Sequence, residues 1–248
     1  MCLFALLTGC RGLENGNMTW VQPESDQPHA GNVYLVRGLI GVFSTGMDDL
    51  SVKLNQNGVR ARVYQDAQHS VLADQIVAGY KGAKNPEPLV LIGHSYGADD
   101  VVTIANVLDK QGIKVDLLVT IDATVPPKVP ANVAVCYNYF QSNATDVIPM
   151  FRGIPLEHQP GANGKLYNID VRKNGKELLE PGTNHINIDK NPLVHAVVIK
   201  EVLDVCPPRP AWVAVHRTTG SPSAQAQQAS QTIAPSNQRV ASQVGRAN

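Results

Sequence analysis

The residues of this sequence that could do chemistry gather around Gly93-His94-Ser95-Tyr96-Gly97, a serine with a glycine two residues to either side. A serine hydroxyl is a weak nucleophile at neutral pH. It attacks a carbonyl only with a base beside it, and that base is held in one tautomer by a carboxylate. The histidines that follow Ser95 are His158, His185, His195 and His216. Carboxylates in suitable places are Asp122, which closes the run 117–121, and Asp146 in Asn143-Ala144-Thr145-Asp146-Val147; Asp189, only four residues past His185, reads as a cap of the last helix or a loop turn. Such a set would form an acyl-serine intermediate from an ester or thioester, with no metal or organic cofactor.

A five-residue pattern means little without the elements that must position it. Residues 88–93 (Pro-Leu-Val-Leu-Ile-Gly) predict a short strand, apolar throughout, that runs straight into the motif. Residues 98–110 then predict a helix, with Val101, Val102, Ala105 and Leu108 along one face and Gly112 beyond its end. That is the strand–turn–helix setting in which such a serine is lifted above a sheet. The same reading predicts strands over 32–37, 59–65, 115–121, 133–140 and 165–171. Helices are predicted over 43–57, 70–79 and 192–205, and loops over 141–164 and 172–191. Strands apolar on both faces and separated by helices imply a mostly parallel central sheet with helices on both faces.

At this point a resemblance appears. Val36-Arg37-Gly38-Leu39, Phe43-Ser44-Thr45-Gly46-Met47-Asp48-Asp49-Leu50 and Ile92-Gly93-His94-Ser95-Tyr96-Gly97-Ala98 look like a group of poorly characterised bacterial α/β-hydrolases. Asn138-Tyr139-Phe140-Gln141-Ser142-Asn143 and His185-Ile186-Asn187-Ile188-Asp189-Lys190 continue the likeness, which covers about residues 33–205. The resemblance implies an α/β-hydrolase fold in which nucleophile, acid and base follow in that order. His185, just after the last strand and before the last helix, stands where the base belongs. His195 lies inside that helix and reads as structural, and His94 packs beside the nucleophile. The acid is expected at Asp122, with Asp146 as the alternative. Asp122-Ala123-Thr124-Val125-Pro126-Pro127 matches the group's pattern apart from Ala123, where proline is common. The resemblance also implies an oxyanion hole made by the backbone N–H groups of Tyr96 and Leu39. Many members carry His-Gly where this chain has Arg37-Gly38.

Composition narrows the function classes. The 248 residues are 43% hydrophobic and 17% charged, enough apolar material for one sizeable core. Lys+Arg and Asp+Glu both number 21, so no basic excess points to nucleic acid. The four cysteines, Cys2, Cys10, Cys136 and Cys206, are too few and scattered for a disulfide framework, and Cys136 and Cys206 read as buried thiols.

The apolar start, residues 1–9, ends in Leu7-Thr8-Gly9-Cys10, which resembles a bacterial lipobox with Cys10 as the lipid-bearing residue. That implies a lipid-anchored or periplasmic protein of the bacterial cell envelope; the alternative is a cytoplasmic protein with an apolar N-terminus. Residues 11–31 are expected to be a linker and 32–206 the folded domain. The Pro/Ser/Gln-rich stretch 207–248 is expected to be a largely disordered tail. The functional expectation is a serine hydrolase of small-molecule esters or thioesters. Its rivals are an acyltransferase on the same residues and a non-catalytic envelope lipoprotein that keeps the fold.

Overall fold

The computed structural model describes residues 18–38, 44–142 and 153–218. The chain divides into two units, Met1–Trp212 and Val213–Asn248, and all that follows on the sheet and the site concerns the first. Its elements are β1 (Asn32–Val36), α1 (Gly46–Gln56), β2 (Arg60–Tyr64), α2 (His69–Tyr80), β3 (Leu89–His94), α3 (Tyr96–Asp109), β4 (Leu117–Ile121), β5 (Val135–Phe140), β6 (Lys165–Asp170) and α4 (Pro192–Val205). A further helix, α5, runs over Arg209–Thr218.

All six strands are parallel, in the order β2-β1-β3-β4-β5-β6. The predicted strands and helices of the domain all form, with ends shifted by up to three residues. β1, β3 and β4 are buried along their whole length, which is why they read as apolar runs without alternation. Alternation still decides which face each side chain serves. Tyr34, Leu91 and Leu118 join the core beneath α2 and α3, where Leu72, Ile76, Val101 and Leu108 pack. Leu35, Ile92 and Val119 point the other way, to Met47 and Leu50 of α1 and Val194 and Val198 of α4. Helices therefore cover both faces.

The strand order reverses at β1 and β3. From β1 the chain steps outward to β2, then crosses back to β3 on the other side of β1. In an open parallel sheet a crevice opens beyond the carboxyl ends of the strands at such a reversal. Gly38 follows β1 and Ser95 follows β3, so the sheet alone picks out this end.

The segment expected as a linker differs from residue 18 onward. Met18 (1% exposed) belongs to the core, His29 bridges to Pro208, and the Ala30 N–H donates to the Pro207 carbonyl. The Gly31 N–H donates to Glu87, whose carboxylate also takes Arg60 and Arg209. A few apolar side chains and one ion-paired carboxylate hold these strands of chain, and a composition average over twenty residues hides them. For the same reason the expected tail starts as helix, from Arg209. Cys136 and Cys206 are buried free thiols. Cys2, Cys10, the remainder of the apolar N-terminus and residues 219–248 lie outside the described residues. Among the described residues no helix is long and apolar enough to cross a membrane.

Candidate active site

The turn at Ser95 is built by its glycines. A Cβ at Gly93 would fall on the Gly97 carbonyl, and one at Gly97 on the carbonyls of Val36 and Arg37. Strand β3, helix α3 and the end of β1 approach so closely that only hydrogen fits. Ser95 itself is forced to φ 58, ψ −127, a region that L-residues avoid at a cost of about 1–3 kcal/mol. The turn is held there by the Ser95 N–H, which donates to the Ile121 carbonyl at 2.9 Å and so extends the β3–β4 ladder by one step.

The next residue after Ile121 is Asp122, also at positive φ (52) and fully buried. Its N–H donates to the Tyr139 carbonyl at 2.7 Å, so β4 and β5 fix it as β3 and β4 fix Ser95. Further along the chain, Asp99 on the first turn of α3 fastens the segment after Asp122. Its carboxylate accepts from the Thr124 N–H (2.9 Å), the Thr124 hydroxyl (2.7 Å) and the Val125 N–H (3.0 Å). Burial raises the Asp99 pKa, and these three donors act against that shift.

His185 meets both residues. Its Nδ1–H donates to Asp122 Oδ2 at 3.0 Å, which leaves the Nε2 lone pair to accept from Ser95 Oγ at 2.8 Å. The three side chains are 0–9% exposed, so water competes little for these bonds. Residues 63 and 90 positions apart in sequence thus form one chain of hydrogen bonds from carboxylate to hydroxyl.

His94 joins this group from below. Its Nε2–H donates to the His185 carbonyl at 2.9 Å, so its Nδ1 is the acceptor for the Ser44 hydroxyl at 2.8 Å. Ser44 Oγ in turn accepts the Gly38 N–H at 2.9 Å. Burial, then the neighbouring His185, pushes the His94 pKa down to about 3, which keeps this ring neutral and the relay in one direction. A Cβ at Gly38 would stand 2.9 Å from Ser95 Cβ, so the chain after β1 lies directly against the serine.

Tyr96 is the first helical residue of α3, and first-turn N–H groups have no partner inside their helix. They and the helix dipole favour negative charge beside Ser95. The second expected donor, Leu39, lies outside the described residues, as does Asp146, the alternative acid.

The remaining candidates have other work. His195 is buried, donates to the Asp189 carbonyl (2.6 Å) and accepts from Lys53 (2.9 Å), so it is structural. Asp189, which the sequence suggested for the loop or the start of α4, caps a different helix. Its Oδ2 accepts the Gly46 N–H at 2.9 Å, at the start of α1. Asn191 caps α4 instead, accepting from the Leu193 and Val194 N–H groups. His158 pairs through its backbone with Val129. Residues that the sequence reading passed over are Ser44, Gln141 and Arg172. Gln141 and Ser44 stood inside the motifs that carried the resemblance, and that was their only signal. Among the described residues no three His, Cys, Asp or Glu side chains converge to hold a metal ion.

A parallel sheet in this order, with a strained serine after its third strand and a histidine after its last, is the α/β-hydrolase fold. No family model matches the chain, and no curated protein matches it. Chains of solved structures do match, among them a metagenomic carboxyl esterase (14% identity, 69% of this chain and 76% of that one, TM-score 0.39). Another is the Vlm2 thioesterase domain, solved with a bound dodecadepsipeptide (12% identity, 73% and 95% covered, TM-score 0.39). A third is a hydrolase of the α/β superfamily from Xanthomonas campestris pv. campestris (15% identity, 69% and 99% covered, TM-score 0.35). Likenesses this distant bear on neither substrate nor mechanism. The fold class stands on the strand order and the turn at Ser95.

Proposed function

We propose that this protein is a serine hydrolase that cleaves carboxylic esters or thioesters through an acyl-Ser95 intermediate. The observation that carries this reading is the unbroken hydrogen-bond chain Asp122–His185–Ser95, ending on a serine in a strained turn at a helix N-terminus. Ordinary capping serines need neither the strain nor the partners.

In the proposed reaction His185 Nε2 takes the Ser95 proton as Oγ bonds to the substrate carbonyl carbon. The negative charge moves to the carbonyl oxygen, which the Tyr96 N–H and a donor at Leu39 would receive. His185, now protonated and balanced by Asp122, gives its proton to the leaving alcohol or thiol as that bond breaks. Water then repeats the sequence and releases the acid, restoring the Ser95 hydroxyl.

A fluorophosphonate probe tests the reading. Labelling of the wild type that disappears in Ser95→Ala supports it; no labelling, or labelling that survives Ser95→Ala, sinks it. A chain-length series of nitrophenyl esters and acyl-CoA thioesters then identifies the acyl group, and turnover only with an added alcohol acceptor would make the protein a transferase. The Leu7-Thr8-Gly9-Cys10 sequence supports placement in the cell envelope by a lipid on Cys10. Release of Cys10→Ala from the membrane fraction is the expected result, and a wild type found wholly in the cytosol would refute it.

A further inference from the structure

Asp122 ends β4, and Gln141 is the first residue beyond the neighbouring strand β5. Gln141 holds the carboxylate twice: its N–H donates to Oδ1 at 2.8 Å and its Nε2 to Oδ2 at 3.1 Å. That Oδ2 is the oxygen that also receives His185 Nδ1–H. Gln141 is itself held, because its Oε1 accepts from Arg172 Nη2 at 2.8 Å. A guanidinium can only donate, so it obliges the amide oxygen to face it and the amide NH2 to face Asp122. The same Nη2 donates its second hydrogen to the Thr183 carbonyl at 3.0 Å, two residues before His185. One guanidinium therefore grips both the support of the acid and the loop that carries the base.

We propose that Gln141 and Arg172 are positioning residues that set the orientation of Asp122 and the share of its charge felt by His185. This rests on Asp122, His185 and Ser95 acting as the hydrolytic centre. The physical basis is competition for one oxygen. A donor on Oδ2 disperses carboxylate charge and lessens its pull on a protonated His185. It also stops the carboxylate from turning about its own side-chain bond, since Oδ1 and Oδ2 are then both anchored. With Gln141 3% exposed, no water stands ready to replace the amide.

The test is the rate at which a fluorophosphonate labels the full chain, followed from about pH 5 to about pH 9, where a histidine base shows its acid limb. Gln141→Met keeps the length and removes both polar atoms. It is expected to label about 10-fold more slowly, as misplaced reacting groups do, with the midpoint of the acid limb moved upward. Gln141→Glu adds a second carboxylate beside Asp122 and is expected to move that midpoint further up. Arg172→Lys keeps one donor and is expected to fall between wild type and Gln141→Met. A merely structural role would lower the melting temperature and the labelled fraction without moving the midpoint. Unmoved midpoints in Gln141→Glu and Arg172→Lys overturn the proposal, and these two carry the test should Gln141→Met not fold. A wild type that never labels at Ser95 overturns the hydrolase reading, a separate outcome seen in the unmutated chain.

Discussion

His94 Nε2–H donates to the carbonyl oxygen of His185 at 2.9 Å, so the residue before the strained serine holds the backbone of the histidine that faces it. The two rings lie 5.4 Å apart, and a single buried imidazole links the turn, the segment after β1 and the loop before α4.

His94→Phe leaves the Ser44 hydroxyl and the His185 carbonyl buried without their partner. A stability loss of about 1–3 kcal/mol is expected from urea unfolding, with a fall in kcat/KM of at least about 10-fold from a loosened His185. The pH dependence has a definite sign. His94 is held near 3 in the fold against an ordinary 6.5, so between those values the unfolded chain binds the extra proton. The stability contributed by its neutral form is present above about pH 6.5 and is lost as pH falls toward 3. The wild-type advantage over His94→Phe should therefore shrink on acidification. An advantage that grows instead would contradict this account.

Asp122→Asn places an amide opposite His185 Nδ1 and favours the wrong tautomer. A drop in kcat of about 10,000-fold is expected, the size of such a change in a serine triad. Asp146→Ala should leave kcat within about 2-fold of wild type. Reversed sizes for these two effects, measured on the same nitrophenyl ester, would give the acid role to Asp146.

Gly97→Ala drives a methyl group onto the carbonyls of Val36 and Arg37, both backbone and unable to move aside. A cost of about 3 kcal/mol or more is expected, seen as loss of soluble protein or of the thermal transition. Gly112→Ala meets open space and strains only its φ of +68, at about 1–2 kcal/mol. Gly38→Ala presses on Ser95 Cβ and the His94 carbonyl at 2.9 Å, so labelling of Ser95 should suffer more than stability. Equal melting temperatures for Gly97→Ala and Gly112→Ala would show that the close approach at Gly97 is relaxed in solution.

Asp189 is fully buried at the start of α1, and burial raises its carboxyl to about 6. A raised carboxyl stabilises the fold while protonated, and that contribution is lost as pH rises from the ordinary 3.8 through about 6. Asp189→Asn keeps an oxygen for the Gly46 N–H and removes the titration. Its melting temperature relative to wild type should therefore rise between about pH 4 and about pH 7. A difference flat across that window would mean that Asp189 does not titrate there.

The parts of this protein that could be read from the chain are those set by local physics. Apolar runs such as 89–94 and 117–121 become strands because they must be buried on both faces. The stripe of Val101, Val102, Ala105 and Leu108 becomes α3 because its spacing matches a helix turn. The role expected of Ser95 could be read for the same reason: the turn, the strand beneath it and the helix behind it are contiguous in sequence. Residues 18–31 and the start of α5 are not legible in this way, because a few specific contacts, Met18 in the core and Arg209 on Glu87, outweigh a polar average.

What the sequence by itself determined, then, is the order of elements, the strained turn at Ser95 and a short set of candidate bases and acids. Tertiary structure decided which of them meet. Strand order brings Ile121 beside Ser95, Tyr139 beside Asp122 and Gln141 onto the Asp122 carboxylate, while the loop before α4 returns His185 to Asp122 and Ser95. Those partners lie 17 to 90 residues apart. No local propensity encodes such a pairing, because it follows from where a parallel sheet ends its strands and where helix packing returns the chain.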